Sequence, residues 1–466
     1  MVDLVVRGGT VVNAAGSRTA DVAVSGGRIE AVEPGIGERL VGSAREVVDA
    51  AGLLVLPGVV DAHTHTRTPS DAEPDRFFHD SVAAAFGGTT TFLVFNTPST
   101  GTSAAAARSL RAGLAEWRDL TAGDAAVDYA VSLVVTGQMD DPVAELPAVV
   151  DAGVPTAKAF MVYDFRLDDR RLFEAMRTMG RSGGMLEVHC EDPVLIDTAV
   201  AEALQRANTQ PRYHAVTRSR EAEAVATHRA MEFARAADAP VHVVHLSSAA
   251  ALAEVRRAKA TGVRASAETC PHYLALTQDR YDLPDAEAVR YVISPPLRAK
   301  ADQDAMWSGL ADGGLDLVAT DHVPDRLDRE KAEAARGVPF DRISNGAPGI
   351  ETLLSIVYSE GVARGRLTVE RMVDLLSTMP ACRFGLSSKG AIEPGKDADL
   401  VLFDPAARRA LTAADLHHTS DYTPYEGFEL VGAVRSVFVR GRTVIRDGVF
   451  VGQRGFGRFV ERRLTS

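Results

Sequence analysis

Residues 53–65 read LLVLPGVVDAHTH. A short apolar run is broken by Pro57-Gly58, and Val59-Val60 then leads into His63-Thr64-His65. Side chains two apart on a β-strand share a face, so this strand aims two imidazoles at one point from its C-terminal end. Such a pair is a common start for a metal site. Alone it decides little: with 12 histidines in 466 residues, an H-x-H arises by chance about 0.3 times. The plain alternative is two polar residues closing a strand, and the rest of the chain decides between them.

Outward from this strand, strand-like and helical runs alternate. Strands are predicted at Val59–His65, Thr89–Phe95, Val127–Val134, Val154–Phe160, Met185–His189, Val241–His245, Val263–Glu268 and Leu315–Asp321. Helical stretches between them include Ala83–Phe86, Ser103–Arg118, Asp169–Met179, Ser219–Ala237 and Ala249–Ala260. In the helix over Ser219–Ala237, Ser219 is the N-cap and Glu221 and Glu223 sit where the helix dipole favours acid. Ala222, Val225, Ala226, Phe233 and Ala237 trace its apolar stripe. Eight strand–helix units predict an α/β fold, a (β/α)8 TIM barrel over residues 57–395.

Both ends of the chain are β-rich. Asp3–Arg7, Thr10–Asn13, Asp21–Ser25 and Arg28–Val32 are punctuated by Gly8-Gly9 and Gly26-Gly27 turns, and Gly-Gly supplies the positive φ of tight hairpins. Asp399–Phe403, Ala433–Arg440 and Thr443–Arg446 repeat the style, with turns at Gly441-Arg442 and Asp447-Gly448. Neither end has apolar surface enough for its own core. Residues 1–56 and 396–466 are therefore expected to form one composite β-sandwich domain.

Composition bounds the partners. Hydrophobic content of 46% and charged content of 24% are those of an ordinary globular protein. A net charge of −12 without long like-charge runs argues against nucleic acid or an anionic membrane as the main partner. No signal-like segment opens the chain, and no apolar run approaches the ~20 residues of a membrane span. Three cysteines cannot make a disulfide framework, which points to the reducing cytoplasm. Cys190 and Cys270 are read as buried packing residues.

In a (β/α)8 barrel the chemistry sits at the C-terminal ends of the strands. Five predicted strands bring a polar residue there: His63 and His65 on the first, Lys158 on the fourth, His189 on the fifth, His245 on the sixth and Asp321 on the eighth. Singly, each has an ordinary explanation, such as a hydrogen-bonded core histidine, a capping aspartate or a snorkelling lysine. Their coincidence on one rim points to a metal site. Four histidines and an aspartate suit two divalent ions such as zinc. A bridge between the ions is still needed. Lys158 lies in an apolar setting that favours its neutral amine. A neutral amine adds carbon dioxide to form a carbamate, which offers two oxygens like a carboxylate. His242 is read as structural. His322 faces away from Asp321 and is at most a support behind a ligand.

The segments PGVVDAHTH, AAAFGGTTTF, AKAFMVY, EVHCED, HVVHLSS, AETCPHYL, YVISPPLR, ATDHVPD, SNGAPGIE and GKDADLVLFDP follow in order along nearly the whole chain. In these the sequence resembles the cyclic amidohydrolases of the hydantoinase/dihydropyrimidinase group, within the metal-dependent amidohydrolase superfamily. The resemblance implies a barrel with a small β-sandwich from both termini, and a homotetramer or homodimer. It places the metal ligands on His63, His65, carboxylated Lys158, His189, His245 and Asp321. It also implies an oxyanion-stabilising Tyr163, substrate-amide contacts at Ser294 and Asn345, and Asp321 as proton carrier. The implied reaction opens a dihydropyrimidine or hydantoin ring to an N-carbamoyl amino acid, using a hydroxide held by the two ions.

The match has departures. After His65 the chain reads TRTPSDAEPDRFFHDSVAAAF, where the hydantoinase type usually carries a glycine-rich loop. Arg67 makes the stretch similar to the H-x-H-x-R of dihydroorotases, whose arginine grips a substrate carboxylate. AETCPHYL is as similar to allantoinases. Allantoin and dihydroorotate are therefore alternative rings. Scaffolding relatives that have lost their metal ligands are a more distant alternative, since this chain keeps all six.

Overall fold

The computed structural model describes residues 2–36, 42–98 and 102–465. Eight of the apolar runs become eight parallel strands that pair in chain order: Val59–Thr64, Thr89–Asn96, Asp128–Val135, Thr156–Phe160, Met185–His189, Val241–Val243, Ala265–Thr269 and Leu317–Val318. The eighth strand turns back to the first where the His65 N–H donates to the His322 carbonyl at 2.7 Å. Asp61 adds to that seam, accepting from the Thr320 N–H at 3.0 Å and the Thr320 hydroxyl at 2.6 Å. The fold is a TIM barrel joined to a separate, largely antiparallel sheet. No described helix is long and apolar enough to cross a membrane.

Two barrel strands stop earlier than their sequence suggests. The sixth ends at Val243 and the eighth at Val318, so His245 and Asp321 lie just beyond the ladder. The cause is local backbone: His245 has φ +38° and Asp321 has φ +50°. Non-glycine residues rarely adopt this left-handed region, and such strain is typical of functional sites.

The helices also depart from the simple reading. The stretch predicted as one helix over 103–118 is two, Ala104–Arg108 and Leu110–Thr121. Ser109 between them is extended, and its side chain accepts from the Ala112 N–H to start the second helix. The helix Arg220–Ala237 begins at Ser219 as expected, but Val225 is 47% exposed. Its buried face runs instead through Ala222, Ala226, Ala230 and Ala234, the four-residue spacing that lets a helix lie close on its neighbours. Glu223 is buried and accepts from the Ser247 N–H at 2.7 Å.

Nine described strands from the two ends share one sheet. Leu54–Pro57 pairs antiparallel with Leu400–Ala410, which joins the first part of the chain to the last. A core of Leu4, Val22, Val24, Val55, Leu400, Leu402 and Phe438 draws on both ends. The glycine pair at 26–27 is the hairpin turn its sequence predicts, with φ +59° and +80°. Gly8-Gly9 is not a turn: Val2–Asn13 is a single strand whose register slips there, with Gly8 at φ +72°. The C-terminal tail then runs beneath the barrel. Arg462 is buried there and donates to the Val131 carbonyl at 2.6 Å and the Thr156 hydroxyl at 2.9 Å.

Candidate active site

At the C-terminal rim, His63 and His65 turn Nε2 toward one oxygen of Asp321, at 3.0 and 3.2 Å. Ligand atoms of these three residues lie within 4.8 Å of one another. The His245 ring centroid lies 5.4 Å from that of His63 and 4.5 Å from that of His189. Lys158 is fully buried, with Nζ 4.3 Å from the Phe95 ring centroid and 5.1 Å from that of Phe160. The structure thus brings together His63, His65, Lys158, His189, His245 and Asp321.

Burial sets the charge state of this group. It lowers the Lys158 ammonium to about 8, although Asp321 and Glu268 pull the other way. It lowers His65 and His189, and it lowers His245 furthest, with His189 and Lys158 adding to the effect. Burial would raise Asp321, but His63 and His65 outweigh it and hold the carboxyl well below its usual range. Three imidazoles shifted toward the neutral form, His63 drawn the other way by Asp321 and Glu268, a carboxylate and an amine of lowered pKa make the donor set of a divalent metal. His245 Nδ1 and Lys158 Nζ are buried without a hydrogen-bond partner. Buried polar atoms left unpaired are costly, and a cation bound among them removes that cost. The residues present therefore fit metal ions.

Two carboxylates that sequence reasoning passed over hold the ligands in place. Glu268 bonds His63 Nδ1 through Oε1, which also accepts from the His245 N–H at 3.2 Å. Its Oε2 meets His242 Nε2 at 3.1 Å, and His242 Nδ1 meets the Ser266 hydroxyl at 2.8 Å, so His242 is structural as read. Burial raises the Glu268 pKa, yet His63 and His242 bring it to about 2. Glu191 likewise joins His189 Nε2 at 2.8 Å to Arg218 Nη1 at 2.5 Å. Burial opposes its ionisation, and Arg218 and His189 restore it, to about 2. Carboxylates behind imidazoles fix the tautomer and aim the free nitrogen. The available signals were an acid closing the seventh strand and a Glu two residues after His189.

The remaining predicted residues fall around a cavity of about 1090 Å³ above this group. Tyr163 lines it, in the left-handed region at φ +76°, with the Arg218 guanidinium 5.2 Å over its ring. Burial raises the Tyr163 pKa, and Arg218 moderates the rise. Ser294 and Asn345 line it as well, and the Ser294 hydroxyl donates to Asn345 Oδ1 at 3.3 Å. Arg67 borders the cavity, but its guanidinium is paired with Asp325 and, at 2.5 Å, with Glu330. His322 supports no ligand with its ring: Nδ1 accepts from the Gly349 N–H at 3.1 Å, and Nε2 faces Asp80 at 3.6 Å. Cys190 and Cys270 are buried, and burial pushes the Cys190 thiol up to about 12.

A parallel barrel with imidazoles and a carboxylate converging at its C-terminal rim belongs to the class of metallohydrolase barrels. The family model described as "Amidohydrolase family" matches residues 54–444. The chain is 38% identical over 464 residues to the D-hydantoinase of Streptomyces coelicolor, covering 98% of this chain and 97% of that one. It is 37% identical over 464 residues to the D-phenylhydantoinase of Escherichia coli, covering 99% and 98%. Among solved structures, the dihydropyrimidinase from Brevibacillus agri matches with a TM-score of 0.93 and 38% identity over 100% of both chains. This chain belongs to the amidohydrolase family, in its hydantoinase/dihydropyrimidinase group. Membership implies the use of divalent metal, in agreement with the donor set at the rim.

Proposed function

We propose that this protein hydrolyses a cyclic amide, opening a dihydropyrimidine or hydantoin ring to an N-carbamoyl amino acid. The observation that carries the reading is the convergence of His63, His65, Lys158, His189, His245 and Asp321 beneath a cavity bordered by Tyr163, Ser294 and Asn345. The dihydroorotase alternative needs a cation free to meet a substrate carboxylate, and Arg67 is already held by two carboxylates.

His63, His65, His189, His245 and Asp321 would hold two divalent ions, zinc by their nitrogen and oxygen donors. Lys158, as its carbamate, would add oxygen donors to that set. When bound, the ions supply Lewis acidity and bring the pKa of water toward neutrality. The chain's own groups do the rest. Asp321 takes the proton of the attacking water and delivers it to the leaving ring nitrogen. Tyr163 keeps its phenol proton and donates it as a hydrogen bond to the carbonyl oxygen as negative charge develops there. Arg218 and Phe165 hold the Tyr163 ring in place. Ser294 and the Asn345 backbone hold the imide edge, and Phe95 and Phe160 keep water from Lys158.

Organisation and setting belong to the same proposal. Residues 1–56 and 396–466 form one domain, supported by their shared core, and 57–395 form the barrel domain. Val194, Leu195, Val216 and Val225 are exposed on the helix over 193–205 and the two helices it touches, and these apolar residues support a face where copies meet as a homodimer or homotetramer. Three free thiols, with Cys382 exposed, suit the cytoplasm.

Ring-opening assays on purified, zinc-loaded protein with dihydrouracil, hydantoins, allantoin and dihydroorotate test the reading. Turnover of dihydrouracil or hydantoins is expected. Turnover confined to allantoin or dihydroorotate would overturn it.

A further inference from the structure

The loop after His65 is where this chain leaves the hydantoinase pattern, and the mechanism above gives it no task. Residues 66–73 form one wall of the cavity, and Val323 and Ser344–Gly346 contribute to another. The loop is ordered from within. Ser70 and Glu73 exchange backbone hydrogen bonds at 3.1 and 3.3 Å, and Arg76 Nε donates to the Thr68 carbonyl.

Arg67 spans the gap between the walls. Nη2 pairs with Asp325, which is fully buried, and Nη1 pairs with Glu330 at 2.5 Å. The second oxygen of Glu330 accepts from the Arg326 N–H at 3.0 Å, so this carboxylate also shapes its own segment. The next residue, Lys331, is 2% exposed. Its ammonium donates to the Ser344 carbonyl at 2.7 Å and sits 3.4 Å from the Val292 carbonyl. The Gly346 N–H donates to that same Val292 carbonyl at 2.9 Å. The strands of loop that carry Ser294 and Asn345 are therefore tied to each other and to Lys331. Asp325 and Glu330 both act electrostatically on Lys331, which closes the series of charges. A second ion pair, Arg329 with Glu73, joins the same two walls nearer the surface.

A guanidinium in this position is not free to serve a substrate carboxylate. Turning away would leave Asp325 buried without its ion-pair partner, which is far costlier than losing an exposed pair. Its geometry serves the walls instead.

We propose that Arg67 is a positioning residue, the pin of a charge latch with Asp325, Glu330 and Lys331 that locks the 66–76 loop to the Ser344–Asn345 segment meeting the imide edge of the ring. The latch sets how the ring is seated, and it fits rings without a carboxylate. This rests on the ring-opening reading above.

The test uses the zinc-loaded enzyme and the variants Arg67→Gln, Glu330→Gln, their double and Arg67→Lys. KM and kcat are measured on dihydrouracil, hydantoin and dihydroorotate, with the rate of subtilisin cleavage within 66–76. The latch predicts a roughly tenfold or larger rise in KM for the neutral rings in either single variant, with a smaller change in kcat. The double variant should be no worse than the singles, because both remove one coupled unit. Arg67→Lys should recover part of the loss, and the loop should be cut faster in Arg67→Gln. A loss confined to dihydroorotate, or additive effects of the two singles, would overturn the latch. If the wild-type enzyme opens none of these rings, the ring-opening reading fails. The latch is then judged by cleavage alone, and equal rates in wild type and Arg67→Gln would end it.

Discussion

The Nζ of Lys158 stands 4.3 Å from the centroid of the Phe95 ring and has no hydrogen-bond partner. Burial lowers the pKa of this ammonium to about 8, which enlarges its share of neutral amine. That is the form that captures carbon dioxide. Lys158→Ala should lose bound metal and turnover together, and short carboxylic acids should restore part of both. Elemental analysis of the variant decides it, and full metal content would count against a bridging carbamate.

Glu268 reaches His63 with one oxygen and His242 with the other. Glu268→Gln keeps the volume and removes the charge behind His63. Metal affinity should fall by about 10–100-fold while the fold is retained. Competition against a chelator measures this, and unchanged retention would dismiss Glu268 as an orienting group.

Asp321 and Tyr163 separate by chemistry. Asp321→Ala should abolish turnover and leave the circular dichroism spectrum intact, and near wild-type activity would sink the proton-carrier assignment. Tyr163→Phe removes only the hydroxyl, and kcat should fall about 10²–10³-fold, the usual loss for one oxyanion donor. A change in KM alone would move Tyr163 from oxyanion stabilisation to binding.

Acid stability should depend on buried histidines that are not metal ligands. Burial lowers His418 to about 4, with His322 adding to the effect, and burial lowers His214 to about 3. Protons therefore bind the unfolded chain first, at its ordinary pKa of about 6.5. The stability these groups contribute is complete above that pH and drains away as the pH falls toward 4. His418→Gln should flatten the decline in urea midpoint between pH 7 and pH 4.5. An unchanged slope would exclude His418 as a contributor.

The exposed valines make a prediction of their own. Val194 is 70% exposed and Val216 is 66% exposed. Val194→Glu with Val216→Glu should lower the molar mass seen by light scattering and preserve the fold. An assembly that survives both changes would place the interface elsewhere.

Much of this molecule was legible as a pattern. The eight barrel strands are apolar runs alternating with helical stretches, and the rim residues are polar groups in or just after five of them. What escaped was set by contacts the local sequence does not record. Hydropathy chose Val225 for the buried stripe, whereas close packing chose the row of alanines beside it. Ser109 interrupts a helix because its side chain starts the next one. Glu268 looked like any acid in a strand, since its partner His63 lies 205 positions away. Arg67 could be seen beside the site, but Asp325 and Glu330 stand 258 and 263 positions further along. A reading by spacing alone leaves such a cation free, and the fold does not.

The shared sheet has a consequence for how the protein is made. Leu54–Pro57 leads directly into the strand that carries His63, and its antiparallel partner is Leu400–Phe403. During synthesis that edge emerges early and waits, unpaired, until nearly the whole barrel has left the ribosome. Unpaired edges and late, long-range pairing favour slow folding and aggregation. The seam that anchors the first metal-site strand is thus among the last to close, and a nascent chain stopped short of residue 400 lacks it altogether.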